Sequence, residues 1–310
     1  MDEKDLRLFQ LLLINNRITH REMAHELGIS VPSVHRRLQN LIDQGIVTKF
    51  TANISSGYLR AVPVKIMGVS ESLSINGHMK EPTERSFTEK VYQFGSNALV
   101  ITLLLKGLDD LGPSVERIRE NLEIRELSVV IPSRATSANI PVHHKYTGTK
   151  PLTLLDYRII AALHDDARKP LNEVADDLDV SVKTVRRHFD TMVEQGSIEL
   201  STNWMPERTS GIYSLVHIEL RPGENKGRYI ARLNDRFGPR ILVGLESSNL
   251  PDLVVLSCWS PTMDKHMEMV EDISNDEETV LTFSRIIRST WLFKTWRNKL
   301  LQERIAGPWH

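Results

Sequence analysis

The chain is poor in the features that several protein classes require. Its single cysteine, Cys258, excludes an internal disulfide and suits a reducing compartment. Its longest notable apolar run, residues 98–105, is much shorter than the roughly 20 residues of a membrane-spanning helix. No positively charged segment followed by an apolar stretch opens the chain, so we expect no secretion signal. These absences predict a cytoplasmic protein with no membrane partner.

Positive charge is not in excess either. Lys and Arg number 39 against 40 Asp and Glu, which gives a net charge of −1. A nucleic-acid-binding surface on this chain must therefore be a local patch, because no global basic field attracts phosphate.

Motifs for catalysis and metal binding are also missing. The eleven histidines show no metal-binding spacing, and His20 and His25, five residues apart, do not share a helix face. No phosphate-binding loop, dinucleotide-binding fingerprint or nucleophile elbow occurs in the sequence. We therefore expect no catalytic residue, no metal site, no cofactor and no enzymatic activity.

An internal repeat is the strongest positive signal. Residues 5–47 recur without a gap 151 positions later. A repeat of this length indicates a duplicated module of domain size. The matching pairs include Asp5/Asp156, Arg7/Arg158, Glu22/Glu173, Ala24/Ala175, Leu27/Leu178, Ser30/Ser181, Val34/Val185, Arg36/Arg187 and Gly45/Gly196.

The first copy predicts a helix-turn-helix. Gly28 suits the left-handed turn after a short helix, and Ser30 suits the cap of the next helix. In that second helix Val31, Val34, Leu38 and Leu41 form one buried stripe. The candidate DNA contacts are residues outside the stripe, together with one lysine in the segment that follows: Pro32, Ser33, Arg36, Arg37, Gln39, Asn40 and Lys49.

The second copy repeats this pattern with Asp179 in the turn and Ser181 as the cap. Its candidate DNA contacts are Lys183, Thr184, Arg186, Arg187 and Thr191. Residues 1–50 hold seven bases and six acids, whereas residues 152–200 hold six bases and ten acids. Because phosphate neutralisation supplies most non-specific affinity, we expect the first head to dominate DNA binding.

Each helix pair is followed by a turn glycine and a β-prone stretch. Gly45 precedes residues 46–51, and Gly196 precedes residues 197–202. This arrangement is typical of a winged helix, so we expect a β-hairpin wing in each copy.

The segments after the two heads predict small α+β domains. Residues 212–287 indicate the order β-α-β-β-α-β, which is the ferredoxin-like arrangement. The earlier segment is less regular: strands are expected at 62–69, 99–106 and 126–131, helices at 84–94 and 111–122, and a long loop at 70–86.

The expected fold class is therefore α+β, with two winged helix-turn-helix domains alternating with two ferredoxin-like βαββαβ domains. We expect a C-terminal helix near residues 291–301, packed on the domain or on a partner subunit. The predicted boundaries are 1–58 and 59–135 for the first head and α+β domain, 136–151 for the linker, and 152–208 and 209–310 for the second pair.

This organisation resembles the Lrp/AsnC, or feast/famine, family of transcription regulators. The resemblance depends on residues 6–13, 22–30, 34–41, 44–47 and 54–58, and on the succession of a head and an α+β unit, twice in one chain. The family's usual layout has a single head. The resemblance implies that the heads bind double-stranded DNA and that the α+β domains mediate dimerisation, so we expect a homo-oligomer.

The resemblance also implies a small-molecule effector, commonly an amino acid. The family's effector region has a Gly followed by an Asp and an apolar strand, and residues 244–255 match it loosely through Gly244 and Asp252. The corresponding stretch of the first half, residues 95–99, lacks the Asp.

Two alternatives remain at this point. The first is a tandem winged helix that binds proteins without direct DNA contact. The second is an enzyme similar to the siroheme decarboxylases, which share this construction. Their Arg-Arg-Ile-Gly type motif would fall near residues 48–53, where this chain reads Thr-Lys-Phe-Thr-Ala-Asn.

Overall fold

The structure is a computed structural model and describes residues 1–71, 87–137, 140–141, 146–148 and 150–306. Its helices are α1 Glu3–Ile14, α2 His20–Leu27, α3 Val31–Asp43, α4 Leu111–Asn121, α5 Leu154–Leu163, α6 Leu171–Leu178, α7 Val182–Gln195, α8 Lys226–Phe237, α9 Met263–Ser274 and α10 Trp296–Ala306. Its strands are β1 Val47–Ile54, β2 Val62–Ser70, β3 Thr88–Phe94, β4 Ala98–Leu105, β5 Ile124–Val130, β6 Pro132–Ser137, β7 Ile140–Pro141, β8 Ile198–Trp204, β9 Ile212–Leu220, β10 Ile241–Ser247, β11 Leu253–Ser260 and β12 Thr279–Leu292.

Both heads form the expected helix-turn-helix. In the first, Gly28 takes the left-handed conformation (φ 60°), and the side chain of Ser30 accepts a hydrogen bond from the Ser33 main chain. In the second, Asp179 adopts the same conformation (φ 52°), and Ser181 caps α7 by accepting from the Thr184 main chain. The repeat is therefore preserved down to its turn and cap.

The predicted β-hairpin wings are wrong. The strand after each head, β1 or β8, pairs with its counterpart from the other head in an antiparallel two-stranded sheet. Phe50 lies opposite Thr202 and Thr51 opposite Ser201, and these residues are themselves related by the 151-residue repeat. A pseudo-two-fold axis therefore passes through the middle of this ladder. Duplication supplies the second strand that an isolated head would need as a hairpin partner.

The two α+β units have the same strand order. The first runs β5-β2-β4-β3 and the second β12-β9-β11-β10, which is the ferredoxin-like order in both cases. Helices α8 and α9 lie on the second unit, where Ile230, Leu233, Met269 and Ile273 join its core. The expected β-α-β-β-α-β order of the second unit is confirmed.

The last strand of each unit continues into the other unit. Strand β12 pairs with β9 over its first half and with β3 over its second half. The first unit reciprocates, since β5 pairs with β2 and the chain then runs directly into β6, which pairs with β10. The sheet of ten strands thus extends across both units.

The first α+β unit departs from the sequence prediction. The helix expected at residues 84–94 is instead a strand over Thr88–Phe94 within its described part, and residues 84–86 lie outside the described residues. This segment is extended because β4 and β12, which are distant from it in the sequence, pair with it on both sides, and Val91, Gln93 and Phe94 are buried there. Most of the loop expected at 70–86 also lies outside the described residues.

The segment between the halves is partly structured. The predicted boundary between residues 135 and 136 falls inside β6, and Ile140–Pro141 adds a short further strand. Later in the segment, the ring of Tyr146 packs edge-on against Tyr58 at 5.3 Å between centroids. The expected C-terminal helix is present but begins only at Trp296, because Trp291 and Leu292 belong to β12; its Leu301 is buried in the core of the second head.

Candidate nucleic-acid interface

The polar face of α3 is open to solvent. Pro32, Arg36, Gln39 and Asn40 are exposed, while Val34, Leu38 and Leu41 are buried beneath them. The side chain of Arg36 makes no hydrogen bond or ion pair with the described residues, so its five N–H donors are available to a guanine edge or a phosphate.

Other predicted contacts of the first head already have partners. Arg37 donates to Asp5 at 2.6 Å and to Asp2 at 2.9 Å, and these bonds, against the cost of burial, raise the pKa of its guanidinium. This ion pair fixes α3 against the start of α1. Ser33 accepts from the hydroxyl of Ser30 at 3.0 Å, and Gln39 donates to Asp43 at 2.8 Å. Arg36 and Asn40 are therefore the most accessible of the predicted base contacts.

Lys49 points toward the other half of the chain. Its ammonium pairs with Asp165, which lies just after α5, and this hydrogen bond lowers the pKa of the Asp165 carboxyl. Lys49 thus joins the two halves in the free protein.

The exposed face of α7 carries Lys183, Arg186 and Arg187. Thr184 shares a hydrogen bond with Ser181, and Thr191 donates to the main-chain carbonyl of Arg187, so these two hydroxyls have local partners. At the position equivalent to Arg37, the second head has His188, whose Nδ1 lies 2.7 Å from Asp156. The same contact between recognition helix and first helix is therefore kept with a different basic residue.

A reciprocal pair of arginines connects the two heads. Arg17 donates to the main-chain carbonyls of Ala167 and Lys169, the latter at 3.1 Å. Its repeat counterpart Arg168 donates to the carbonyls of Asn16 and Ile18 at 2.6 and 3.0 Å. In the sequence, both arginines entered only the count of basic residues of their heads. The two arginines occupy the same position in the two copies. Together with a two-fold axis, this equivalence would have predicted a reciprocal contact between the heads.

Arg297 anchors the heads on the α+β units, and sequence reasoning missed it. It is 4% exposed and donates to Glu199 of β8 at 2.8 Å, to Glu89 of β3 at 3.1 Å and to the carbonyl of Ile54 at 3.2 Å. Burial alone lowers the pKa of this guanidinium, but the charges of Glu199 and Glu89 outweigh burial and raise it. No sequence signal connects three residues so far apart.

The predicted effector residues Gly244 and Asp252 lie apart. Gly244 is inside β10, where a Cβ would come within 2.6 Å of Ile230, so the glycine permits close packing of α8. Asp252 borders a shallow pocket that extends from β11 across β9 to β12, beside the rings of His217 and Phe283, which stack with centroids 4.7 Å apart.

A cavity of about 150 Å³ lies where the two α+β units meet. Its lining combines Met67, Tyr92 and Phe94 of the first unit with Tyr213 and Leu245 of the second, and it includes Lys65. The cavity was not predicted, because its lining comes from strands of both units.

Two negative findings apply to the part of the chain that the structure describes. No helix there is long and apolar enough to span a membrane. Nor do three or more His, Cys, Asp or Glu residues come together there as a metal site would require.

Solved structures resemble the whole chain in fold. The structure of the siroheme decarboxylase NirDL aligns with a TM-score of 0.57 and 15% identity over 98% of this chain and 99% of that one. The complex of NirDL with an iron-uroporphyrin III analogue aligns with the same TM-score and coverage at 14% identity. At such identity the likeness establishes the shared fold alone.

Sequence comparison gives the family. The winged helix-turn-helix DNA-binding family HTH_24 matches residues 1–48 and 152–199. The HTH-type transcriptional regulator Ptr1 of Methanocaldococcus jannaschii is 32% identical over 114 residues, which are 36% of this chain and 77% of Ptr1. An uncharacterised HTH-type regulator of Pyrococcus abyssi is 29% identical over 69 residues, 22% of this chain and 47% of that protein. With these matches and its two head-plus-α+β units, the chain belongs to the Lrp/AsnC family of HTH-type transcription regulators, as a duplicated and fused member.

Proposed function

We propose that this protein is a sequence-specific DNA-binding transcription regulator whose single chain presents two recognition helices. The observation that carries the proposal is the pseudo-two-fold arrangement of α3 and α7, each with an exposed arginine, Arg36 or Arg187, at the equivalent position. A helix-turn-helix dimer uses such symmetry to read two half-sites about 34 Å apart. Here the paired heads belong to one chain.

The connection between the heads supports this proposal. The β1–β8 ladder and the arginines Arg17 and Arg168 hold the heads together directly. A second head that is already in place binds at an effective concentration of about the millimolar range, if its half-site lies within reach. Two weak heads then act as one tight binder.

Selection of bound duplexes from a random library tests the proposal. We expect an enriched site with two related half-sites at a constant spacing. Binding to this site should weaken with salt, by a slope of about 0.9 per neutralised phosphate on logarithmic axes. The double variant Arg36→Ala/Arg187→Ala should lose the sequence preference. Arg221→Ala, at an exposed arginine after β9, is the matched control.

Two results would contradict the proposal. A single half-site with no partner would show that only one head reads DNA. An absence of salt-dependent duplex binding would favour the alternative of a protein-interaction module.

The siroheme-decarboxylase-like enzyme is the second candidate, favoured by the whole-chain likeness to NirDL. The central cavity, of about 150 Å³, has room for one ring and not for a four-ring tetrapyrrole, and Lys65 is the one charged side chain among the described residues that line it. This cavity therefore does not fit such a substrate. Incubation with an iron-porphyrin, followed by gel filtration and absorption spectroscopy, tests this candidate. Co-elution with a shifted Soret band would support the enzyme.

Effector response, further assembly and location are finer parts of the proposal. We infer that a small molecule binds beside Asp252, in the pocket with His217 and Phe283. In a thermal-shift screen of amino acids, equal shifts of the melting temperature for Asp252→Ala and for the unaltered chain would refute this. We further propose that the protein forms a homo-oligomer, because the family resemblance implies assembly. We also propose that it is located in the cytoplasm, because its single thiol suits reducing conditions. Sedimentation of the full chain tests the assembly.

A further inference from the structure

The central cavity has a mixed lining that suits a specific class of ligand. Most of its wall is apolar or aromatic, with Met67, Phe94, Val100 and Leu245 among the residues that line it. Among the described residues that line it, Lys65 on β2 is the one charged side chain. No carboxylate belongs to the described part of this lining. A single cation in an apolar wall is the pattern expected of a site that orients one anionic group.

The ammonium group of Lys65 has more N–H donors than its one hydrogen bond uses. Its ammonium donates to the hydroxyl of Thr102 at 3.2 Å. An ammonium carries three N–H donors, so this bond leaves two for an occupant. Burial, followed by the charge of Lys90, lowers the pKa of Lys65 to about 8, against the opposing charge of Glu89. An anion beside the ammonium would offset that burial cost.

Two hydroxyl groups of the cavity wall already have a hydrogen-bond partner. The hydroxyl of Tyr213 lies 2.5 Å from that of Ser257, so these two groups hydrogen-bond to each other. Among the described residues of the lining, an ammonium group of an occupant would meet hydroxyls but no carboxylate to compensate its charge. The lining therefore favours a ligand with a negative group and no positive one.

The size of the cavity limits the apolar part of the ligand. A cavity of roughly 150 Å³ lined by apolar side chains is large enough for one benzene ring. Trp204 lines the cavity and also packs against Phe9 in the first head, at 4.6 Å between ring centroids. An occupant would thus contact a side chain that belongs to the core of that head.

We propose that the cavity binds a small monocarboxylate with an apolar body of about one ring, such as an aryl carboxylate or a branched-chain 2-oxo acid, with the carboxylate on Lys65. This site is separate from the pocket beside Asp252. The inference does not depend on DNA binding, because ligand binding is measured on the protein alone.

Titration calorimetry and quenching of tryptophan fluorescence on the full chain test the proposal. The probes are benzoate and 4-methyl-2-oxopentanoate, with benzamide as the uncharged match for benzoate and L-phenylalanine and L-leucine as zwitterions. We expect the two carboxylates to bind more tightly than benzamide and both amino acids. Lys65→Met should weaken benzoate binding by at least about tenfold and leave benzamide unchanged, because a charge-assisted hydrogen bond is lost.

Two further variants make the test decisive. Val255→Phe fills the cavity from β11 and should abolish binding of every probe. Lys4→Met removes an exposed lysine on α1 and should change nothing. Should Lys65→Met fail to fold, as judged by circular dichroism, Lys65→Gln and Val255→Phe serve in its place. The proposal is overturned if neither carboxylate binds, if their affinity survives loss of the Lys65 charge, or if the amino acids bind as tightly.

Discussion

Loss of Arg297 should destabilise the folded chain strongly. Arg297→Met keeps the length and apolar volume of the side chain but leaves Glu199 and Glu89 without their cation. Removing one partner of a buried ion pair costs about 3 to 5 kcal/mol, because an uncompensated charge stays buried. Glu199 is the more buried carboxylate, with 14% of its side chain exposed against 28% for Glu89, so most of the cost arises there.

The remaining contacts of Glu199 reduce that cost. Its carboxylate still accepts from the main chain of Ser56 at 3.1 Å and from the Ser56 hydroxyl at 2.8 Å. We therefore expect a loss near 3 kcal/mol in the free energy of unfolding, measured by urea denaturation followed through tryptophan fluorescence.

A triple variant separates the loss of the Arg297 ion pairs from the cost of leaving buried carboxylates without their cation. Arg297→Met with Glu89→Gln and Glu199→Gln removes the whole ionic group, and we expect it to regain part of the stability lost in the single variant. Arg221→Ala, at an exposed position, should change stability by less than about 0.5 kcal/mol. A single variant that loses less than about 1 kcal/mol, or a triple variant less stable than the single one, would refute the reasoning.

Three other predictions concern single residues. Arg36→Ala should weaken binding to the selected DNA site by about 1 to 3 kcal/mol and relax one half-site, and Arg187→Ala should cost less because its head is more acidic; equal losses in fluorescence anisotropy titrations would contradict this order. Burial lowers the pKa of His217 to about 3, below its unfolded value near 6.5, so protonation favours the unfolded chain, and stability should fall by up to about 1.4 kcal/mol per pH unit as pH drops below 6.5. His217→Phe should reduce this loss of stability in urea titrations at successive pH values. An unchanged slope would show that another group causes the pH dependence. Burial raises the pKa of the Cys258 thiol to about 12, so a thiol reagent at neutral pH should react only after unfolding; rapid labelling of the folded protein would count against a buried thiol.

Local sequence determined the heads and the second α+β unit. A glycine or aspartate in the left-handed turn, a serine cap and an apolar stripe act within a few residues, so each is visible in the sequence. The same holds for β9 to β12, whose alternation or apolar runs fall between clear turns. The polar face of α3 could also be predicted, because helical periodicity alone decides which side chains the stripe leaves outside.

Only the tertiary structure decided how the two copies combine. Strand β3 is extended because β4 and β12 pair with it, and β1 lacks a hairpin partner because β8 takes that place. Such pairing joins residues far apart in the sequence. The residue pattern of a strand does not indicate which other strand will pair with it. For the same reason Arg37 and Lys49 appeared free in the sequence but are paired in the fold, while Arg297 and the cavity at Lys65 exist only once both halves have met.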